Sequence, residues 1–195
     1  MDKKISLDHL LEIELKKLMA TEQLTYEGLS DMIDVCSSKE LLSILSTHRE
    51  ETSRQKERLE HAMKKLHLHY EKNKDLLEKS KEALKNLISS SSEKEASKSL
   101  KHLLEEGKLH HKKFTETEYA DLALASSGVL VERFEAALYS TAALIAEGSK
   151  HPEIGKILRA TLKEEENAAE LLNSFVKKEM KRTEELRKHQ VFALT

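Results

Sequence analysis

Hydrophobic residues recur every three or four positions in an otherwise polar stretch, residues 41–66, and this spacing predicts an amphipathic helix. The apolar stripe of this helix consists of Leu41, Leu45, Thr52, Leu59, Ala62 and Leu66. Two polar residues, His48 and Gln55, interrupt the stripe near its middle, and Glu51 flanks it. Because an apolar seam does not need a histidine or a carboxylate, these three residues are candidates for chemistry.

Three other stretches have the same periodicity and predict three more long helices, each with a glutamate near the centre of its stripe. The stripes are Leu11, Leu15, Leu18, Glu22, Thr25, Leu29 and Ile33; Leu124, Gly128, Val131, Glu135, Leu138, Ala142 and Ile145; and Ile154, Leu158, Thr161, Glu165, Ala168, Leu172 and Val176. A shorter helix between them has a thin stripe, and we expect it on the surface.

Capping and stop residues predict where the helices begin and end. The expected first residues or caps are Ser6, Ser37, Ser92, Thr115 and Pro152, and the expected ends lie near Val35, Leu87, Lys112, Gly148 and Arg187. Two antiparallel hairpins follow, 6–67 and 115–188, joined by a crossover, 68–114, that is long enough to span a bundle. The pattern predicts one all-α domain over 1–195, a ferritin-like antiparallel four-helix bundle with one extra short helix.

Composition agrees with long helices and narrows the function. Charged residues make up 35% of the chain and apolar residues 38%, with one Pro and no Trp. The net charge of −2 argues against nucleic acid as a partner. No apolar run reaches the roughly 18 residues of a membrane span, and the N-terminus lacks a signal-peptide core. A cytoplasmic protein without a membrane partner is therefore expected.

The heights of the central glutamates follow from the hairpins, since residues equidistant from a turn face each other. Glu22 and Glu51 each lie about 14 residues from the first turn, and Glu135 and Glu165 about 15 from the second. At about 1.5 Å per residue, both pairs lie roughly 21–23 Å from their turns, near mid-bundle. We therefore expect the four carboxylates and His48 to meet at one height.

Four carboxylates buried together lose solvation and repel one another. They must share protons, pair with cations or bind metal. Inward-facing Glu and His residues commonly bind divalent metals in four-helix bundles, and carboxylate-rich sites suit iron or manganese. Glu132, three residues before Glu135, is either an additional ligand or a rim charge. Glu164, next to Glu165, is expected to be solvated.

Two tyrosines and a glutamine are candidates for hydrogen bonds to these glutamates. Tyr26 follows Glu22 by four residues, and Tyr139 follows Glu135 by four, so each hydroxyl lies within reach of its own helix's glutamate. The alternative is an ordinary tyrosine at the edge of the core. If the layer binds no metal, Gln55 and His48 are the residues expected to bond to protonated glutamates.

Five blocks of sequence resemble one known family, and four of them together, in the right order and at the right spacing, make the resemblance fairly strong. They are LEIELKKLMATEQL, HREETSRQKERLE, SLKHLLEEG, DLALASSGVLVERFEAALY and TLKEEENAAELL. The family is the YciE/YciF-like branch of the ferritin-like superfamily, with its rubrerythrin- and ferritin-type four-helix bundle. Residues 68–98 look like an insertion and lie outside the resemblance, as does the C-terminal tail.

The resemblance implies a ferritin-like fold, assembly as a homodimer, a stress-associated role and ferroxidase-like or metal-binding activity. The metal ligands that it implies are Glu22, His48, Glu51, Glu135 and Glu165, with Glu132 as an additional candidate. Ferritin-like di-iron sites usually take Glu-x-x-His from two helices. In this chain His48 precedes Glu51 instead, and Ala168 stands where the second histidine would be.

Three functions remain open at this point. The first is a site for two iron ions, or manganese, that oxidises Fe(II) with O2 or peroxide. The second is a non-enzymatic helical stress protein whose buried Glu/His layer is a hydrogen-bond network without metal. The third, with the least support, is a partner-binding module that uses residues 68–112.

Overall fold

Five helices form in the part of the chain that the structure describes. The structure is a computed structural model that describes the backbone of residues 6–66 and 91–192. It describes the side chains of residues 6–66 and 98–185. The helices are α1 (Leu7–Val35), α2 (Lys39–Lys65), α3 (Ser91–Phe114), α4 (Ala120–Gly148) and α5 (Pro152–Phe192). The all-α prediction is confirmed. Within these ranges, none of the helices combines the length and apolar character that a membrane span requires.

The four long helices enclose one bundle. α1 packs against α2, α4 packs against α5, and the two hairpins meet through contacts of α1 with α4 and of α2 with α5. α3 lies outside this ring, against α1 and α4. The prediction of a ferritin-like antiparallel bundle with an extra helix is confirmed, and this packing turns the central face of each long helix inward.

Apolar side chains fill both ends of the bundle and leave a polar layer between them. One cluster includes Leu11, Leu15, Leu18, Leu59, Met63, Ile154 and Leu158. The other includes Leu29, Leu41, Leu45, Leu124, Leu172 and Phe175. Each long helix contributes residues to both clusters, and its central polar residues lie between these two sets. Polar side chains from four helices therefore share a layer with apolar packing on either side.

A contact from the second hairpin determines where α2 begins. The Asp121 carboxylate accepts hydrogen bonds from the backbone N–H groups of Ser37 (3.0 Å) and Ser38 (2.7 Å). Ser38, not Ser37 as expected, is the N-cap and accepts from the Leu41 N–H. At its other end α2 stops at Lys65 instead of continuing past Leu66. The rest of the extension expected to Leu87 falls on residues 67–90, outside the described residues.

The start of the second hairpin also differs from the expected capping. The Thr115 hydroxyl donates to the His111 carbonyl and so belongs to the end of α3, and α4 begins only at Ala120. The end of α4 at Gly148 and the start of α5 at Pro152 lie where the sequence predicts them. Between them Lys150 has a φ of 64°, so a lysine rather than a glycine takes the left-handed conformation of this turn.

Two glycines let α3 approach the bundle closely. A Cβ at Gly28 of α1 would lie 2.7 Å from Leu104 Cδ2, and one at Gly107 would lie 2.8 Å from Ser127 Cβ of α4. Both distances are shorter than van der Waals contact. Leu100 of α3 is fully buried, although most of the side chains described in this helix, residues 98–114, are exposed as its thin stripe predicts.

Candidate metal centre

Four buried side chains converge in the polar layer at mid-bundle. They are His48 of α2, Glu132 and Glu135 of α4, and Glu165 of α5. One ligand atom from each lies within 4.8 Å of all the others, which is a spacing that a single metal ion can bridge. Each of the four residues is no more than 3% exposed. Two of the four come from α4, because residues three apart on a helix share a face.

The two nitrogens of the His48 ring face different neighbours. Nε2 points into the cluster, 2.6 Å from Glu132 Oε2 and 3.6 Å from Glu165 Oε2. Nδ1 lies on the other edge of the ring, 3.5 Å from Glu51 Oε2. The Glu51 side chain is 24% exposed, whereas that of His48 is 4% exposed. His48 therefore separates the buried cluster from a carboxylate that reaches solvent.

Several ligand atoms of the cluster are buried without a hydrogen-bond partner among the described residues. They are both oxygens of Glu135 and Oε2 of Glu165, whereas the two nitrogens of His48 lie against Glu132 and Glu51. Buried polar atoms are rarely left unpaired, because each lost hydrogen bond leaves a desolvation penalty. Three carboxylates and one imidazole are the donor types that iron and manganese accept. The residues therefore fit a divalent metal ion both in position and in chemistry.

Burial controls the protonation of the cluster. Desolvation, reinforced by neighbouring carboxylates, raises the pKa values of Glu135 and Glu165 well above the usual range. Burial opposes a charge on His48, but the nearby carboxylates, Glu132 first, outweigh it and raise the pKa of the ring. Without metal, Glu135, Glu165 and His48 therefore all hold protons more readily than exposed side chains of the same type do.

Glu22 is as deeply buried as the cluster but has a different partner. Its Oε1 accepts a hydrogen bond from the Tyr139 hydroxyl, which comes from α4. Burial raises the pKa of Glu22 to about 7, although the bond from Tyr139 opposes this shift. Tyr139 was expected to reach Glu135 on its own helix, and the structure directs its hydroxyl across the bundle to α1 instead.

Tyr26, the other tyrosine predicted near the site, faces cations. Its ring centroid lies 5.1 Å from Lys56 Nζ and 5.9 Å from Arg49 Cζ, which are cation–π distances. Tyr26 is only partly buried. The structure therefore places this ring on the outer side of the α1–α2 pair, away from the four converging ligands.

Gln55 connects the cluster to a charged pair that the sequence did not reveal. Its amide donates to Glu165 Oε1 and, over 3.1 Å, to Glu164 Oε2. Arg58 donates to the same Glu164 oxygen. Glu164 was expected to be solvated, but it joins Arg58 and Gln55 at the rim of the site. Arg58 lies one heptad after Glu51, and this spacing is the signal that would have placed it on the same face.

Glu51 is the remaining predicted ligand, and it lies outside the group of four. Its hydrogen bond with His48 lowers its pKa, with smaller help from the nearby arginines Arg54 and Arg58. The structure therefore brings together His48, Glu132, Glu135 and Glu165, and neither Glu22 nor Glu51 belongs to that group.

Comparisons with known proteins agree with this architecture. YcfI from Rhodopseudomonas palustris superposes with a TM-score of 0.71 at 24% identity, over 89% of this chain and 97% of that one. The E. coli stress protein YciF superposes with a TM-score of 0.70 at 20% identity, over 90% of this chain and 98% of that one. No curated protein matches the sequence.

The sequence also matches one protein family over most of its length. The family is described as a domain of unknown function, DUF892, and the match covers residues 6–98 and 81–185, two segments that overlap. Together with the superpositions, this match confirms the resemblance to YciF-like, ferritin-type helical proteins. The chain belongs to the DUF892 family.

Proposed function

We propose that the protein binds a divalent transition metal, iron in the first instance, between His48, Glu132, Glu135 and Glu165. One observation carries this proposal: both oxygens of Glu135 are buried without a partner at the point where the other three side chains converge. A protein that used this layer only for packing would gain by placing an apolar residue there, because unpaired buried carboxylates are destabilising. Manganese is the second candidate, since it takes the same donors.

Iron(II) is also the proposed substrate, with O2 or peroxide as the oxidant. Two Fe(II) ions supply the two electrons that, with two protons, convert one peroxide into two water molecules. The carboxylates of the site would favour Fe(III) over Fe(II), because negative ligands stabilise the higher charge. Two ions per chain is the number implied by ferritin-like proteins. A second ion would use Glu22, whose nearby carboxylate is among the charges that raise the pKa of Glu135.

We also propose that the protein has a stress-associated role in the cell. It is supported by the similarity to the E. coli stress protein YciF. The two chains are 20% identical, so this similarity is one of fold. Consumption of iron and peroxide would limit the oxidative damage that the two cause together. Assembly as a homodimer and a cytoplasmic location remain predictions.

A metal-free hydrogen-bond network is the second candidate function. Two contacts favour it: the bonds of Tyr139 to Glu22 and of Gln55 to Glu165 already satisfy one oxygen of each glutamate. The protein would then be a non-enzymatic helical protein whose polar layer fixes the register of the helices. This reading leaves the two oxygens of Glu135 unexplained, so we rank it second.

Iron oxidation separates the two functions. We expect wild-type protein to oxidise Fe(II) in the presence of peroxide or O2 faster than buffer alone, with absorbance in the near ultraviolet as the readout. Glu165→Ala should lower the initial rate at least about tenfold, because it removes a ligand. Glu166→Ala, at the exposed neighbouring position, is the control and should retain the wild-type rate. Equal rates for wild type and Glu165→Ala would contradict the proposed oxidation.

A further inference from the structure

Glu51 has a role that differs from the one its position in sequence suggests. It lies three residues after His48 on α2, at the height of the site, so it resembles a metal ligand. In the structure it contacts the Nδ1 edge of His48, at 3.5 Å, whereas the Nε2 edge faces Glu132 and Glu165. The two ring nitrogens of an imidazole point in divergent directions, so groups on these two edges cannot bind the same ion.

We propose that Glu51 is a positioning residue: its carboxylate accepts the Nδ1–H of His48 and thereby directs Nε2 at the metal. This inference rests on the metal site of the proposed function, and it assigns Glu51 to the outside of that site. A metal-bound histidine commonly donates its other N–H to a carboxylate, which fixes both the tautomer and the orientation of the ring. The partial exposure of Glu51 agrees with this role, because the ligands themselves are buried.

The helix explains why this arrangement is available here. In the usual Glu-x-x-His order the carboxylate precedes the histidine, but in α2 the histidine comes first. Side chains of a helix point back toward its N-terminus, so Glu51 is directed toward the turn that carries His48. The carboxylate therefore covers the solvent side of the ring and leaves the bundle side open for the metal.

Zinc binding tests this role without redox chemistry, because zinc accepts His and Glu ligands and does not change oxidation state. We expect Glu51→Ala to weaken zinc binding about 10- to 100-fold with the number of bound ions unchanged. Glu51→Gln should retain most of the affinity, because its amide oxygen still accepts the Nδ1–H. Glu50→Ala, at an exposed position of the same helix, is the matched control.

The ring nitrogens themselves give a second readout. In zinc-loaded wild type, ¹⁵N NMR of the histidine side chains should show His48 bound through Nε2 and protonated at Nδ1, with the signal assigned by its loss in His48→Gln. Glu51→Ala should shift the Nδ1 signal. Loss of one zinc equivalent in Glu51→Ala would make Glu51 a ligand and overturn the inference. A zinc affinity of Glu51→Ala equal to that of Glu50→Ala would also overturn it. If wild type binds no zinc, manganese or iron, the proposed function fails and this inference with it.

Discussion

Glu135→Gln is expected to abolish stabilisation by metal while leaving the metal-free protein at least as stable as wild type. Both oxygens of Glu135 lie in the cluster without a partner, so a metal ion would lose a carboxylate that no hydrogen bond holds elsewhere. Burial also raises the pKa of Glu135, so that the native metal-free protein already favours the neutral form. The neutral amide has nearly the same shape, and it requires neither a buried charge nor a proton taken up from solvent.

The measurement is the thermal midpoint in a chelator and again with excess Mn(II). At a free metal concentration of 100 times Kd, a bound ion stabilises wild type by about 2.7 kcal/mol, and Glu135→Gln should show none of this gain. Glu166→Gln, at an exposed position one residue after Glu165, should behave as wild type. A Glu135→Gln protein that retains the full metal-dependent gain would contradict the site as described.

The stability of the metal-free protein is expected to fall as the pH rises from about 4.5 to about 7. Over this range native Glu22, with a pKa of about 7, holds a proton that the unfolded chain releases near its ordinary value of 4.5. The unfolded state then binds fewer protons than the native state, so the free energy of unfolding decreases with pH, by on the order of a few kcal/mol. Glu135 and Glu165 act with the same sign, because their pKa values are also raised.

His48 extends this trend to higher pH, because its stabilising protonation is lost as the pH passes through its raised pKa. Metal should reverse the slope, since binding requires deprotonated carboxylates and a neutral imidazole and releases their protons. The gain in thermal midpoint with Mn(II) should therefore grow between pH 5 and 7. Glu22→Gln should flatten the metal-free slope. Metal-free stability that rises steadily over this range in wild type would contradict the protonated layer.

The height of the site could be predicted from the sequence because it depends only on helix rise and on the positions of the turns. Glu22, Glu135 and Glu165 are each at most 1% exposed, in the layer between the two apolar clusters. Periodicity gives the face of each helix, and the residue count to each turn places these carboxylates at mid-bundle. This prediction of height requires the positions of the two turns only to within a residue or two.

Which side chains actually meet could not be predicted, because this depends on rotamers and on packing across helices. Glu132 joins the cluster and Glu51 does not, although each lies three residues from another candidate. Tyr139 is another example. A helix spacing of four points its hydroxyl at Glu135, yet the bundle offers Glu22 on the facing helix. Periodicity gives a face and a height but does not choose between such partners.

Helix starts were predicted less well for a related reason. The capping pattern predicted Ser37 as the cap of α2, whereas the cap is the neighbouring Ser38. Asp121, which lies more than eighty residues away in sequence, binds the backbone N–H groups of both and leaves the Ser38 side chain as the cap. A contact between hairpins decides this boundary, so no local pattern could have given it.

An anaerobic titration of metal-free protein with Fe(II) tests the central claim most directly. Wild type should bind at least one iron per chain tightly, and two if Glu22 supplies a second position, whereas Glu165→Ala should lose the tight equivalent and Glu166→Ala should retain it. Such a result would establish the buried cluster as a metal site. Binding by wild type that does not exceed that of Glu165→Ala would contradict it, and the cluster would then be a structural network.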